Sequence, residues 1–539
     1  MTQSDAELLT NLFVDEPVDD AGLKFSKKNW RYIPDINNNS YGNKTIKIDT
    51  RDLTSDFIVW SEAMLRIRMS MTLTGANAGE RRANGDRIML KNHVSSLFQN
   101  VLIRINNKNV NNGQDHIRKM ELIRYLTEHS SEHADTCGNL VGFEKDTVEQ
   151  ASVYSNAGAD ETARKVSQQS YSGTYARKQT EGNPVALALT AIPAVFADLP
   201  AARTAVNTLR GELLALDGIL PTDAHPANRN EGAVKRLQYR RVTYSTTTNV
   251  DDTLTYEVYV PLSAISPVFR ALDFPATNLR LQCQFQLAPF AQAFMYDVFQ
   301  ADGVTVTVPP ADYQIVSAVN LYYNSVDFAP SSNAIVQQKL MSGSWKKMLK
   351  YHSHKRFIFE AGRAVFGNSH QFNITTGIDR VKKIWILVTP EGRIQGGTTT
   401  GLQADQAEYS DLPTGSITNA QLFIDNVAYY ESVIVDDQEF YDLLDDQLSC
   451  SLADPRNSSL LDYDTWSSTN KIYCFDVSRS DKTDSVVSLR FNFDRADTNV
   501  NGVNIVPATV PCHVEAYVEY DVTTIVDLAN PAYVDSNEQ

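Results

Sequence analysis

The segment Leu279–Leu287 (LRLQCQFQL) alternates without a fault. Leu279, Leu281, Cys283, Phe285 and Leu287 point one way, and Arg280, Gln282, Gln284 and Gln286 the other. Only an extended backbone sends successive side chains to opposite faces, so this is a strand with one face in a core. The same period returns at Val487–Phe493 and at His513–Val522, where Val514, Ala516, Val518, Tyr520 and Val522 share a face. Two-faced strands in both halves call for stacked antiparallel sheets. Aromatic usage agrees: 24 Tyr and 22 Phe against 5 Trp and 9 Met suit half-buried pleated surfaces.

Other segments fill in the layout. Thr45–Asp49, Phe57–Leu73, Arg236–Thr246, Thr253–Pro261, Tyr313–Phe328, Lys355–Glu360, Val381–Thr389 and Gln421–Val435 read as strands. Leu97–Val110 reads as two strands around Asn106-Asn107, since Asn tolerates the left-handed backbone of a tight hairpin. Gln114–His133 switches to a helical period through Ile117, Met120, Leu122, Ile123 and Leu126. Asp436–Leu448 predicts a short amphipathic helix with Phe440, Leu443 and Leu444 inward. Phe290–Pro310 reads as a connector.

At 539 residues the chain suits two large sandwiches, each of about 200–250 residues. The expected fold is all-β: two tandem eight-stranded jelly-roll β-sandwiches with short helices and large loop insertions. The expected divisions are an N-terminal arm over 1–43, a first jelly roll over 44–300 with an insertion at about 137–233, and a second over 301–539. The second carries an insertion at about 391–416 and a C-terminal tail. The first insertion is Ala-, Ser-, Gly- and Thr-rich, too long for a plain loop, with a short helix expected at Ala201–Leu216. The arm joins an acidic start (with Leu8, Leu9, Leu12 and Phe13) to a basic-aromatic piece (Lys24, Lys27, Lys28, Trp30, Arg31, Tyr32) and an Asn-rich linker. Such a piece buries little by itself and is expected to dock on a partner.

Charge and cysteine usage narrow the function. A net charge of −16, from 65 acidic and 49 basic residues, argues against direct tight nucleic-acid binding, which needs clustered Lys and Arg. No run approaches the ~20 apolar residues of a membrane span, and the acidic start does not resemble a secretory signal. Cys137, Cys283, Cys450, Cys474 and Cys512 are odd in number and form no CxxC pair, which reads as reduced thiols in a chain made in the cytosol. The sequons at Asn38, Asn43, Asn373 and Asn457 then carry little meaning.

Four motifs offer chemistry, and each has a plainer reading. His129-Ser-Ser-Glu132-His133 matches the H-x-x-E-H zinc pattern, but nothing marks a third ligand; a solvated helix end is preferred. Asp497-Thr-Asn499-Val-Asn501-Gly502 matches half a calcium loop, with Ala508 where the bidentate Glu should stand; a polar hairpin is preferred. His352-Ser-His354 offers half a metal site and reads as a polar strand edge. Asp436, Asp437, Glu439, Asp442, Asp445 and Asp446 could supply paired carboxylates, but they fit a helix start and its polar face. There is no P-loop, no dinucleotide glycine signature and no nucleophile elbow. No catalytic, cofactor-binding or metal residue is assigned.

The order of segments resembles the double jelly-roll major capsid proteins of the Polinton, adintovirus and virophage kind. The resemblance lies in 44–75 (KTIKIDTRDLTSDFIVWSEAMLRIRMSMTLTG), in LFQNVLIRINNKNV with its following helix, in Gln421–Leu448, and most specifically in Leu254–Leu287, where a strand ends at Pro261-Leu262, a short helix follows and an alternating strand closes. It implies a non-enzymatic major capsid protein without cofactor. It further implies homotrimers that act as pseudo-hexameric capsomers, contact neighbouring capsomers and penton and minor capsid proteins, and tile an icosahedral virion made in the host cytoplasm. The alternatives are a minor capsid or spike protein, or a two-domain carbohydrate-active β-sandwich protein.

Overall fold

A computed structural model of the chain describes residues 25–145, 241–297, 312–390, 415–447 and 459–537, less short stretches at 38–39, 54–55, 75–86, 115–116, 247–250, 360–363, 365–367, 376, 379, 469, 479–487, 501–502 and 507–510. The helix expected at Ala201–Leu216, most of the first insertion and nearly all of the second lie outside the described residues.

The first jelly roll contains β1 (Phe25–Pro34), β2 (Thr45–Asp49), β3 (Phe57–Thr74), β4 (Phe98–Ile105), β5 (Lys108–Gln114), helices α1 (Ile117–Glu128) and α2 (Ser131–Cys137), β6 (Arg241–Thr246), β7 (Asp251–Pro261), α3 (Pro267–Ala271), β8 (Leu281–Leu287) and β9 (Asn320–Phe328). One sheet runs β1-β9-β3-β7-β6, with Pro275–Ala276 and Tyr313–Ile315 added against β3; the facing sheet runs β2-β8-β4-β5. On β8 the expected alternation is met: Leu281, Cys283, Phe285 and Leu287 are buried and Gln284 is exposed. Strand β3 changes phase. Ile58 and Trp60 are buried, then Ala63, Leu65, Ile67, Met69 and Met71, and the pairing with β9 slips at the same place. A bulge there keeps both halves of a long strand facing the core. The Asn106-Asn107 turn is confirmed, with φ of 49° and 69°.

The second jelly roll follows helix α4 (Pro330–Met341). It contains β10 (Lys346–Ile358), β11 (Ser369–Thr375), β12 (Val381–Pro390), β13 (Ser416–Ile424), α5 (Asp437–Gln447), α6 (Tyr463–Ser468), β14 (Ile472–Asp476), β15 (Ser488–Ala496) and β16 (Cys512–Asp527). Its sheets run β10-β16-β12-β14 and β11-β15-β13 with Val427–Ala428 at the edge. Leu489, Phe491 and Phe493 on β15 lie beside Phe372 of the neighbouring strand β11 and pack towards Phe475 of the facing sheet, all buried. Each such side chain contributes about 1.5–3 kcal/mol on burial.

Strand pairing corrects several expectations. The boundary near 300 is too early, because Tyr313–Ile315 and β9 complete the first jelly roll's sheet. Part of the expected arm is a strand, β1, hydrogen-bonded to β9 from Phe25↔Phe328 to Pro34↔Asn320. The expected C-terminal tail supplies Val534–Ser536, which pairs with β16. Gln421–Val435 is strand only to Ile424 and at Val427–Ala428; β10 begins at Lys346 rather than Lys355; and Phe290–Pro310 contains a strand, Phe294–Asp297, paired with Arg87–Leu90. Helix α4 carries no clear apolar stripe: only Ser332 and Val336 are buried, so periodicity gave no sign of it.

Candidate functional site

The two sandwiches meet through α1 and the outer face of the sheet β10-β16-β12. Helix α1 buries Ile117, Met120, Leu122, Ile123, Tyr125 and Leu126, and ends where Ser130 caps α2 by accepting from the His133 N–H at 3.3 Å. From its other side Lys119 reaches Glu515 of β16, Nζ to Oε2 2.5 Å, with both side chains largely buried. Arg356 also pairs with Glu515, and the Tyr517 hydroxyl donates to it at 2.7 Å. Burial alone would raise the Glu515 carboxyl, but the charges of Lys119 and Arg356 and these hydrogen bonds outweigh it and hold it down to about 2. Further bonds cross the junction, among them the Tyr351 hydroxyl donating to the Val110 carbonyl, Asn278 Nδ2 to the Leu528 carbonyl at 2.5 Å, the Leu460 N–H to the Leu126 carbonyl at 3.0 Å, and Lys108 Nζ to Asp535 Oδ1 at 3.3 Å.

Beside this weld the surfaces part into a cleft of about 1230 Å³. Its roof is Arg124, Thr127, Glu128, His129 and His133; Arg270 and Asp273 stand at one side. The floor comes from cross-strand rows in register. His354 and Lys383 both lie opposite Glu519, and His352 lies opposite Asp521. His354 Nε2 is 3.4 Å from Glu519 Oε2, which also accepts from Trp385 Nε1 at 3.0 Å; His352 Nδ1 is 2.8 Å from Asp521 Oδ1. Burial would raise the Glu519 carboxyl, yet the His354 hydrogen bond, the two imidazoles and the indole hold it down to about 2. In the roof, Arg124 and Arg270 share the buried Glu121 at 2.9 and 2.8 Å.

The structure thus brings together two histidine motifs that lie far apart in sequence. His129 and His133 stack at 4.3 Å between ring centroids, 16° from parallel. Burial, then the neighbouring His133, Arg124 and Arg270, push His129 down to about 4, and burial lowers His133. Glu132 is exposed on the other side of the turn. Among the described residues no group of three or more His, Cys, Asp or Glu could hold a metal ion. Asp497 is exposed before a short hairpin, Thr498–Val500 with Val503–Val506, while Asn501 and Gly502 lie outside the described residues.

The acidic helix start is a cap: Asp436 Oδ1 accepts from the Glu439 N–H at 2.8 Å, and Glu439 Oε2 from the Val435 N–H at 3.0 Å. Phe440 and Leu444 are buried as expected. Asp437 instead receives Lys471, whose fully buried Nζ lies 2.5 Å from Oδ2 and 5.1 Å from the Trp466 ring centroid. Sequence reasoning missed Lys471, Lys119, Trp385 and Glu519. Their signal, polar residues in the off phase of apolar strands or helices, reads as solvent contact.

A second surface lies on the first sheet's outer face. Tyr32, Tyr322 and Met64 stand opposite one another across β1, β9 and β3, with Trp30 two residues along. Trp30 is 54% exposed and Tyr32 61%. On the second sandwich Val427 and Val435 are 55% and 53% exposed.

No family model matches the sequence, and no curated protein matches it. Among solved structures the chain is similar to one from the Sputnik virophage determined by cryo-EM, with TM-score 0.54 and 12% identity, covering 95% of this chain and 88% of that one. The mavirus major capsid protein gives 0.47 and 11% identity, covering 100% and 95%; the Faustovirus major capsid protein gives 0.46 and 9%, covering 93% and 91%. With its strand order and its Sputnik neighbour, the chain is a double jelly-roll protein.

Proposed function

We propose that this chain is a viral major capsid protein that works by self-assembly and has no enzymatic role. Three copies, each with two sandwiches, set six jelly rolls around a pseudo-hexameric tile. Tiles pack against neighbouring capsomers and against penton and minor capsid proteins to close an icosahedral shell in the virion, after synthesis in the host cytoplasm. The observation that carries this reading is the pair of sandwiches, joined by a buried ionic weld and similar in architecture to a chain in the Sputnik virophage structure.

The surfaces support it. Exposed large apolar side chains stand on both sandwiches, Trp30 and Tyr32 on the first, Val427 and Val435 on the second. Contiguous exposed apolar surface marks contact sites. A ring built by heterologous contacts needs two different patches on one chain. The net charge of −16 suits a tile that does not itself clamp nucleic acid tightly.

Light scattering on the purified chain tests the reading. The expected mass is three times 60.1 kDa. A chain that stays monomeric at high concentration overturns it, and Trp30→Ser with Tyr32→Ser should weaken the trimer while leaving the monomer folded.

A further inference from the structure

Two exposed patches on this chain are opposite in charge. The first lies on β1, the edge strand of its sheet, where Trp30 and Tyr32 are exposed and the Tyr32 and Tyr322 rings stand 5.6 Å apart. The ion pairs around it present their cations outward. Arg31 is 50% exposed against 32% for Asp56, Arg66 36% against 11% for Glu257, and Lys28 26% against 6% for Glu62. Lys27 is exposed, stands opposite Asp327, and carries no ion pair among the described residues. Trp, Tyr and Arg are the side chains that most often carry binding energy at an interface.

The second patch is the segment 425–436, which turns back along β13. It is held there by the Val427↔Ile424 pair, the Tyr429 N–H on the Leu422 carbonyl and the Ala420↔Ile434 bridge. Val427, Val433 and Val435 are exposed on it. Asp425, Glu431 and Asp436 alternate with them along the chain, and Asp442 follows on α5; none of the four carries an ion pair among the described residues. Residues 415–447 contain no Lys, Arg or His. The cations that the fold brings near are engaged: Lys471 is buried on Asp437, Arg495 is buried on the Ser416 carbonyl, and Arg490 lies over the Phe423 ring and reaches Asn426.

Both patches are exposed in the single chain, so neither covers the other. Pairing like with like would set cations against cations or carboxylates against carboxylates. The complementary match is head-to-tail, and a head-to-tail contact is the kind that closes a ring.

We propose that the Trp30 and Tyr32 face of one copy seats on the 425–436 segment of a second copy. Lys27 and Arg31 then meet Asp425, Glu431, Asp436 and Asp442, and the two aromatic rings meet Val427, Val433 and Val435. This rests on the self-assembly reading and names the two surfaces that carry it.

The test uses the full-length chain with Tyr32 replaced by a photo-crosslinking phenylalanine analogue, mixed from normal and heavy-isotope preparations. Mass spectrometry should place the crosslinks in 425–442 and join light chains to heavy ones. Lys27→Glu with Arg31→Glu should raise the concentration of half-assembly by about tenfold, the equivalent of about 1.4 kcal/mol. Glu431→Lys with Asp442→Lys should do the same; neither residue caps a helix or a turn. The four changes together should restore assembly, because the charges are then exchanged rather than lost. A chain that stays monomeric overturns this proposal together with the self-assembly reading. An oligomer whose crosslinks fall elsewhere, or whose combined variant assembles no better than the weaker pair, overturns the pairing alone. Should a reversal variant fail to fold, the crosslink positions decide by themselves.

Discussion

Lys119 of the first jelly roll donates to Glu515 of the second at 2.5 Å, and this buried pair is the electrostatic centre of the weld between them. Its worth differs by partner. Glu515 also holds Arg356 and the Tyr517 hydroxyl, so Lys119→Met leaves the carboxylate two contacts. Glu515→Gln strips the counter-charge from two cations at once. Removing one partner of a buried pair costs about 3–5 kcal/mol. Lys119→Met is therefore expected near or below the lower end and Glu515→Gln near the upper, with the double variant losing less than the sum. Chemical denaturation of the four proteins checks this; equal losses for the two single variants would sink it.

Acid should loosen the same region in two stages. Unfolded histidine takes up a proton near pH 6.5, whereas His129 does so only near 4 and the fully buried His93 near 3, burial being the main cause in both. Between those values the unfolded chain binds more protons, so stability is complete above about pH 6.5 and falls as pH drops towards 4. Glu121, Glu515 and Glu519, each held to about 2, add stability that is complete above their unfolded value of 4.5 and is lost as pH falls towards 2. Melting temperature against pH should be flat from 8 to 7, decline from about 6.5 and steepen below about 4.5. His129→Gln should make the upper limb shallower and leave the lower limb unchanged, the slope that remains above pH 4.5 belonging to His93.

The strand phases explain what could be read from sequence and what could not. On β16 the apolar phase, Val514 to Val522, was legible because a buried face needs apolar residues at every second position. Its other phase, Glu515, Tyr517, Glu519 and Asp521, looks like a solvent face. It is the junction with the first jelly roll, and sequence alone does not say that a charged face will be covered by another charged face. The two histidine motifs were visible singly, but their meeting depends on how the first jelly roll docks on the second through α3 on β10 and Lys119 on Glu515 of β16, long-range contacts that no local period encodes. Edge strand β1 was hidden for another reason: Lys27, Arg31 and Tyr32 are exposed, so it lacks a clean alternation.

Gly415 sits where the chain enters β13, and a Cβ placed there would run into the Val388 carbonyl, the group to which the Gly415 N–H donates at 3.0 Å. The obstacle is backbone, so it cannot rotate away. Gly415→Ala is expected to cost about 1–3 kcal/mol, as overpacking does. Its first effect should be faster hydrogen exchange along β12 and β13. Unchanged exchange in both strands would show that the loop accommodates the methyl group.

The Asn106-Asn107 turn gives a two-sided prediction. Both residues have positive φ, at 49° and 69°, and the Asn106 side chain is engaged, accepting from the Arg280 N–H at 2.8 Å. Asn107, at φ 69°, is in the left-handed region and exposed, so backbone conformation dominates its contribution. Asn107→Gly produces the Asn-Gly pair that such two-residue hairpins favour, and should stabilise by a few tenths to about 1 kcal/mol. Asn107→Val forces a β-branched residue into the same conformation and should destabilise by about 1–2 kcal/mol. Thermal unfolding of both variants checks the pair, and a shift of the same sign in both would show that the turn is not held by its backbone geometry.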